Sequence, residues 1–559
     1  MSGLAERLAR PEILALPPFD LGPPGGGYGE AAIKLDANEN PFPPLGPAGI
    51  NRYPEPQPAA LRAAMAALYG VEPKNFVVTR GGDDAIDLLV RAFCRPGVDC
   101  VAVALPTFSA YAHFAQLNGV GVIEAKLGAE HEFRAEAFVA QLGGAVPKLA
   151  FVCSPNNPTG TPVDPSEVRA LADALPETII VCDEAYIEFS DTPSLSVEAS
   201  GRDNLIVLKT LSKAFGLAGA RIGGLVGTAE MIAMVGRAAP PYPLPTLCID
   251  AAVAALNPSR RALHEERIVE LIAERERMSP LLAKSPLVRR VHPSAGNFLF
   301  LEVADPGALA ERLQTLGIRV RFRENAAPGG VRLTIGTPEE NEAALRAFEV
   351  PVEGAKPGRR AAVIRDTRET KIAVSVDLDR PEPRRIDTGL PFFDHMLDQV
   401  AAHAGFGLVL SCEGDHQIDA HHSIEDCAIA LGQALDQALG ERRGIGRFGF
   451  ALPMDETEAQ VLIDLSGRPF ARFEGEFSGS HVGAFPTEMT QHVFRSLADS
   501  LRAAIHVRVE GTNDHHKVEA CFKAFGRALR PALAVGAGSG NGSAGGGWAD
   551  APPSTKGML

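Results

Sequence analysis

Two adjacent histidines followed three residues on by a glutamate occur twice in this chain, as HHSIED at 421–426 and HHKVEA at 515–520. The likeness runs further: HHSIEDCAIALGQAL (421–435) aligns with HHKVEACFKAFGRAL (515–529), sharing both histidines and Glu, Cys, Ala, Gly, Ala and Leu. Each copy follows a β-like run, GLVLSCEG or IHVRVEG, and opens a helical pattern. Such a repeat confines the C-terminal part to a duplicated α/β unit. It also constrains the chemistry. On a helix, residues four apart share a face while adjacent residues are turned by ~100°. His421 and Glu425 therefore face one point and His422 another, and His515, Glu519 and His516 repeat the pattern. Neither copy completes a metal site, but two copies complete two, each giving a His/Glu pair to one ion and a lone histidine to the other. His395 in FFDHML and His492 in TQHVF stand at similar places upstream. The expected sets are His421, Glu425, His492 and His516 on one ion, and His395, His422, His515 and Glu519 on the other. Three imidazoles and one carboxylate leave room for substrate on a six-coordinate ion. That suits manganese(II) or iron(II) better than tetrahedral zinc, although affinity alone does not exclude zinc.

The chain's 559 residues are material for about three to five domains, and 45% hydrophobic with 22% charged is ordinary globular composition. A net charge of −15 argues against a nucleic-acid binder, which needs a basic surface. Eight cysteines without a C-x-x-C pair read as reduced thiols of a cytosolic protein. The N-terminal segment lacks the apolar core of a secretion signal, and no stretch reaches the ~18 apolar residues of a membrane helix. The expected location is the cytoplasm, and the expected partners include neither nucleic acid nor membrane.

Four histidines precede residue 360 and ten follow it. Between the two parts, PVEGAKPGRR (351–360) has the composition of a linker. The expected domains are thus 1–350 and 361–559. In the first, the runs NFVVT, CVAVAL, KLAFVC, TIIVCDEAY, NLIVLKT and RIGGLVG alternate with helical patterns, which predicts a mostly parallel α/β sheet. GNFLFLEV and the residues after it predict a smaller α+β subdomain. Near the C-terminus, GAGSGNGSAGGG (536–547) is a low-complexity insert before PSTKGML.

Three stretches of the first part, SPNNPTG (154–160), VCDEAYIEF (181–189) and TLSKAFGLAGARIG (210–223), fit one chemistry jointly. Pyridoxal phosphate needs a lysine for its aldehyde, an acid for its pyridine nitrogen, donors to its phenolic oxygen and a nest for its phosphate. Lys213 offers the amine and Asp183 the acid. Asn157 and Tyr186 can reach the phenolic oxygen. Ser212 and Arg221 can bind the phosphate, helped by backbone amides where Gly81, Gly82 and Asp83 open a helix. Phe108 in LPTFSAY can stack on the ring.

With KLDANENPF (34–42), RYPEPQ (52–57), SAGNFLF and VRLTIGTPEEN, these motifs resemble the fold-type I aminotransferases, and within them histidinol-phosphate aminotransferase, over nearly all of 1–350. The resemblance implies that Tyr53 reaches the cofactor phosphate of a neighbouring subunit, so that the active unit is a homodimer. It implies that Arg321 and Arg332 hold the substrate phosphate, as forked donors suit a dianion. Where the family usually has an N-terminal tyrosine, this chain has Phe19, so that one phosphate donor of the family is either missing or replaced by Tyr28. A phosphothreonine decarboxylase and aromatic aminotransferases share the scaffold.

The second part resembles imidazoleglycerol-phosphate dehydratase across 365–559, through ETKIAVSVDLD (369–379), TGLPFFDHMLDQ (388–399), GIGRFG (444–449), PMDE (453–456), DLSGRPF (464–470), EACFKAFGRALR (519–530) and PSTKG (553–557). That family implies a manganese enzyme of duplicated α/β halves, assembled into a large symmetric particle. Arg447, Arg468, Lys523, Ser554 and Lys556 would grip the substrate phosphate. Glu369 and Asp455 are candidates for the proton transfers, with a ligating glutamate or a water on the metal as the alternative. Together the resemblances imply consecutive steps of histidine biosynthesis: dehydration of imidazoleglycerol phosphate to imidazole-acetol phosphate, then transamination with glutamate to histidinol phosphate. The rival expectation is that the second part is a metal-dependent assembly module without catalysis.

Overall fold

The computed structural model describes residues 3–16, 37–43, 50–351, 359–414, 419–449, 452–454 and 456–535. It divides into two units, one of Met1–Asn257 with Glu266–Gly354 and one of Pro258–Glu265 with Ala355–Leu559. Most of the expected linker lies outside the described residues, as do Phe19, Tyr28 and the insert at 536–547. Among the described residues no helix is long and apolar enough to cross a membrane. All eight cysteines are free thiols.

The first unit is built on seven strands: β1 (Phe76–Thr79), β2 (Cys100–Leu105), β3 (Gly121–Lys126), β4 (Leu149–Cys153), β5 (Ile179–Asp183), β6 (Leu205–Thr210) and β7 (Gly223–Val226), in the order β1-β7-β6-β5-β4-β2-β3. The pairs β2–β3, β2–β4, β4–β5 and β5–β6 are parallel, whereas β7 runs antiparallel to β6 and β1. Buried on both faces, the central strands read as unbroken apolar runs rather than alternating ones. Val101 and Val103 join one core while Ala102 and Ala104 join the other, and Ile179 and Val181 are likewise separated from Ile180 and Cys182. β3 has no counterpart among the runs picked from the sequence. It is an edge strand with only Ala125 buried, so GVIEAK carries little apolar signal. Helix α1 (Gly82–Phe93) follows β1 directly. A second, antiparallel sheet, β8 (Val288–His292), β9 (Phe298–Val303), β10 (Arg321–Phe322) and β11 (Gly330–Thr334), has the order β10-β11-β9-β8 and its own core.

The second unit shows the duplication in its topology. One sheet is β12 (Arg360–Asp366), β13 (Thr370–Asp377), β14 (Arg384–Asp387) and β15 (Gly407–Gly414), in the order β12-β13-β15-β14. The other comprises β16 (Phe448–Gly449), β17 (Leu452–Met454), β18 (Thr457–Asp464), β19 (Phe470–Glu474) and, after the small ribbon β20 (His481–Val482) and β21 (Phe485–Pro486), β22 (Ala504–Glu510). Its order, β16-β18-β22-β19, repeats the first, and in both sheets only the last pair is parallel. Helices α2 (Pro391–Ala404), α3 (His421–Leu439), α4 (Met489–Leu501) and α5 (Asp514–Leu533) share one core with both sheets. The glycine kept in both repeats explains how they pair. A Cβ on Gly432 would strike Ser500 of α4 at 1.8 Å, and one on Gly526 would meet the Val400 carbonyl of α2 at 2.7 Å. Each histidine helix thus lies tightly against a helix of the other repeat.

Candidate active sites

In the first unit, the carboxyl ends of β4, β5 and β6 open onto a cavity lined by Gly82, Asp83, Phe108, Asn157, Asp183, Tyr186, Ser212, Lys213, Arg221, Arg321, Arg323 and Arg332. This is where a parallel α/β sheet presents its loops to ligand. All but one of the first-unit residues expected at the site are therefore brought together. Asp183 ends β5 and is 4% exposed. It accepts from Tyr111 Oη at 2.6 Å and from the Ala185 N–H at 3.0 Å. Burial raises its pKa and those two hydrogen bonds oppose the rise. Tyr111 is the supporting residue that the sequence reading passed over, although it stands in the quoted LPTFSAY.

Lys213 opens into the cavity with its Nζ 5.7 Å from the Tyr186 ring centroid. Loss of water there, then the positive charges of Arg332 and Arg221, hold its pKa below the usual lysine value. Asn157 contacts Tyr186 Oη at 3.4 Å through Nδ2 and accepts from Arg332 at 2.5 Å through Oδ1. Burial pushes the Tyr186 phenol up. Phe108 stands edge-on to Tyr111 with centroids 5.6 Å apart.

Backbone amides, a hydroxyl and a guanidinium meet at the start of α1. Gly81 has φ 84°, and a Cβ there would lie 2.8 Å from Arg221 Nη2; a Cβ on Gly223 would lie 2.9 Å from the Gly81 backbone. Only glycines leave this cradle open, and a helix N-terminus with bare amides suits a phosphate. Ser212 Oγ accepts from Thr210 at 3.0 Å, and Arg221 pairs loosely with Asp83 at 3.4 Å. Acid, amine and anion cradle around one cavity fit pyridoxal phosphate. The exception is Tyr53, which is 55% exposed, stacks on Tyr242 at 4.5 Å and is not part of the cavity wall.

The second unit assembles its candidate ligands only partly. His421 Nε2 lies 3.6 Å from Glu425 Oε2, and the His492 ring of α4 stands 5.1 Å from that of His421. In the other cluster the two carboxylate oxygens of Glu519 face different imidazoles, His395 of α2 at 3.7 Å and His515 at 3.4 Å. Donors bound at right angles to one ion, each at about 2.1 Å, sit about 3 Å apart, so these spacings and donor types suit a divalent ion. His422 and His516 turn away as the helical period requires. His422 Nδ1 is 3.5 Å from Glu369, and His516 Nδ1 is 2.9 Å from Glu456. The four-residue sets expected within one chain are therefore not formed. Among the described residues no three such side chains converge closely enough to hold an ion.

Two further expectations are qualified. Arg447 is engaged by Asp464 through two bonds of 2.6 and 3.1 Å, and Lys523 by Glu519 at 2.7 Å, so both cations already have carboxylate partners. Arg468 is exposed beside β19. Asp455, Ser554 and Lys556 lie outside the described residues. Glu456, the partner of His516, was within the quoted PMDE and unassigned.

Residues 33–348 match the family model for aminotransferase class I and II, and residues 388–529 match that for imidazoleglycerol-phosphate dehydratase. A histidinol-phosphate aminotransferase from Stenotrophomonas maltophilia is 43% identical over 349 residues, 61% of this chain and 95% of that protein. The histidine biosynthesis bifunctional protein HisB of the same species is 62% identical over 176 residues, 32% of this chain. The chain spans about half the length of that bifunctional relative. A solved histidinol-phosphate aminotransferase from Sinorhizobium meliloti, in complex with pyridoxal-5'-phosphate, covers 53% of this chain and 82% of its own at 25% identity and TM-score 0.49. The chain belongs to the aminotransferase class I and II family and carries an imidazoleglycerol-phosphate dehydratase domain behind it.

Proposed function

We propose that the chain carries out two consecutive reactions of histidine biosynthesis, dehydrating imidazoleglycerol phosphate to imidazole-acetol phosphate and transaminating that ketone with glutamate to histidinol phosphate. The observation that carries the reading is the cavity that gathers Lys213, Asp183, the glycine cradle and four arginines, in a chain whose other unit matches the dehydratase family model. Pyridoxal phosphate, when bound, supplies the electron sink that lets a proton leave the carbon next to nitrogen. Asp183, held by Tyr111, faces the ring nitrogen and keeps its proton in place. Asn157 and Tyr186 meet the phenolic oxygen. Ser212, Arg221 and the amides of Gly82 and Asp83 take the phosphate. Lys213, its pKa lowered, removes the substrate α-proton and returns a proton on the other side of the nitrogen. Tyr53, outside its own cavity, serves the site of a second copy, so this unit works as a dimer.

In the dehydratase unit the ligand pairs His421/Glu425 with His492, and His515/Glu519 with His395, each hold one manganese(II) ion, two per chain. His516 and His422, which cannot turn inward on their own helices, complete sites on neighbouring copies, so this unit works as a symmetric oligomer. Bound ions supply positive charge beside the imidazole ring of the substrate. Glu369 and Asp455 carry the proton transfers, while Arg447, Arg468, Lys523, Ser554 and Lys556 hold the phosphate. A cytoplasmic location fits these substrates.

The test is to give the purified chain pyridoxal phosphate, manganese, glutamate and imidazoleglycerol phosphate. Histidinol phosphate should form, and imidazole-acetol phosphate should accumulate when glutamate is left out. No ketone would remove the dehydratase reading and favour the assembly module. Ketone without histidinol phosphate would remove the aminotransferase one.

A further inference from the structure

The short pairing of β10 with β11 sets like charges face to face, because Arg321 is the cross-strand partner of Arg332. Like charges directly opposite in a sheet are destabilising, which points to an anion between them. Side chains alternate along a strand, so Arg323, two residues after Arg321, returns to the same face while Phe322 packs against the core of the small sheet. The Arg323 N–H donates to the Gly330 carbonyl at 2.7 Å, extending the pairing and fixing that orientation. All three guanidiniums line the cavity of Lys213.

The three are not equivalent. Arg332 is tied to Asn157 and lies 5.5 Å from the Phe298 ring, which anchors it near the cofactor end. Arg323 is acted on by burial, Arg332 and Arg321, all of which lower its pKa, and only the Tyr186 phenol counters them. Among the described residues no carboxylate is one of the groups that act on it. A third unneutralised fork next to Arg321 exceeds what a single carboxylate needs, and it matches a dianion with three acceptor oxygens. Resemblance alone had assigned two arginines, Arg321 and Arg332, to the substrate phosphate.

We propose that Arg323 determines specificity in the transaminase site, gripping the substrate phosphate together with Arg321 and making the cavity favour a phosphate monoester over a carboxylate. The proposal rests on the function given above for this cavity. The measurement compares holoenzyme with R323Q and R323K, using histidinol phosphate and histidinol as amino donors in the reverse direction. A hydrogen bond to a charged group, once lost, costs about 10–100-fold in binding. KM for histidinol phosphate should rise by that factor in R323Q, and by clearly more than KM for histidinol, so that discrimination between the two falls. R323K should recover only part, since lysine keeps the charge and loses the fork. Equal losses for histidinol and its phosphate, or an unchanged KM, would overturn the proposal.

Orthophosphate inhibition of the glutamate half-reaction separates this proposal from the reading beneath it. If Arg323 grips phosphate, Ki rises about tenfold in R323Q, whatever the organic substrate is; an unchanged Ki sinks the grip. A wild type that transaminates glutamate, ignores histidinol phosphate and still loses orthophosphate affinity in R323Q would instead sink the substrate assignment and leave the anion site standing.

Discussion

Around Lys213, Asp183, Asn157 and Tyr186 are each less than a tenth exposed and already hydrogen-bonded to one another's neighbours before any ligand arrives. At the histidine helices, His395 and His515 are about half exposed and lean on Glu519 at 3.4–3.7 Å, while His422 and His516 rest on Glu369 and Glu456. The first site is shaped by neighbouring strand ends of the large sheet, with arginines added from the small sheet, so that side chains of several elements reach one place. The second is shaped by a duplication, whose geometry splits every adjacent pair of histidines between two faces. One arrangement is prepared within the chain; the other is a waiting one, its donors gathered only in part and half open to water. The energetic consequence is opposite in sign. Preparation stores cost in the folded protein, as buried charges, whereas waiting leaves polar groups in water at little cost.

The largest effect should come from the prepared site. Lys213→Ala removes the amine that moves the proton, and general acid–base groups contribute about 10²–10⁴-fold. Transamination should fall by at least that much, and the visible absorbance of bound cofactor should change, while dehydration measured on the same sample stays within about twofold. If transamination survived, the cavity would not be the reaction site. If dehydration also collapsed, the two units would not be independent.

The next effect addresses the waiting site. Glu425→Gln and Glu519→Gln should each lower dehydration by at least about 10–100-fold, since even groups that only orient a ligand cost that much. Transamination should be untouched. Metal analysis of the wild type should give close to two ions per chain, and the two variants should each lose about one. A single shared ion, or full dehydration after chelation, would break the picture of two reciprocal clusters. A mixed preparation adds a sharper test: His516→Ala and His421→Ala should each be inactive alone, and mixing should restore part of the activity if ions are shared between copies. No recovery after remixing would count against completion by a neighbour.

What could be read from the sequence divides along the same line. The repeat announced a duplicated α/β unit, a helix opening at each histidine pair and the split of His421 from His422, because helical period and duplication are local facts; the strand order shared by the two sheets and the helices α2 and α4 became visible only in the fold. The strands β1, β2, β4, β5, β6 and β7 stood out as continuous apolar runs, whereas the half-exposed edge strand β3 did not. Lys213, Asp183 and Arg221 were legible because each stands in a stretch of several unusual residues. Tyr111 and Arg323 were not, since one acts through a buried hydrogen bond and the other through a strand alternation that only the β10–β11 pairing defines. The pairing of α3 with α4 and of α5 with α2 was legible only after the fact, in the shared Gly432 and Gly526. The four-residue metal sets are not gathered among the described residues, because His422 and His516 lie against Glu369 and Glu456 rather than beside the other repeat's His/Glu pair.

The smallest effect on activity concerns the cost of preparation. Behind Asp183 lies a buried ion pair, Lys209 with Glu184 at 2.6 Å, and beside it Glu188, whose Oε2 has no hydrogen-bond partner among the described residues. Burial raises Glu188 to about 7 from an ordinary 4.5; Lys209 opposes the rise and Glu184 adds to it. The sign follows from proton linkage. Between those two values the folded state binds the proton that the unfolded state has released, so this contribution to stability is present at low pH and is lost as pH rises through about 7. Replacing the carboxyl by an amide removes the titration. Glu188→Gln should therefore gain stability relative to wild type by about 1–3 kcal/mol on going from pH 5 to pH 8, with transamination and dehydration each within about twofold. The measurement is urea unfolding of the holoenzyme at both pH values, followed by loss of cofactor absorbance for the first unit and of dehydration for the second. Only the first transition should shift. If the difference between variant and wild type were the same at both pH values, Glu188 would be no more costly than an exposed glutamate. The contrast between a prepared site and a waiting one would then lose its energetic half.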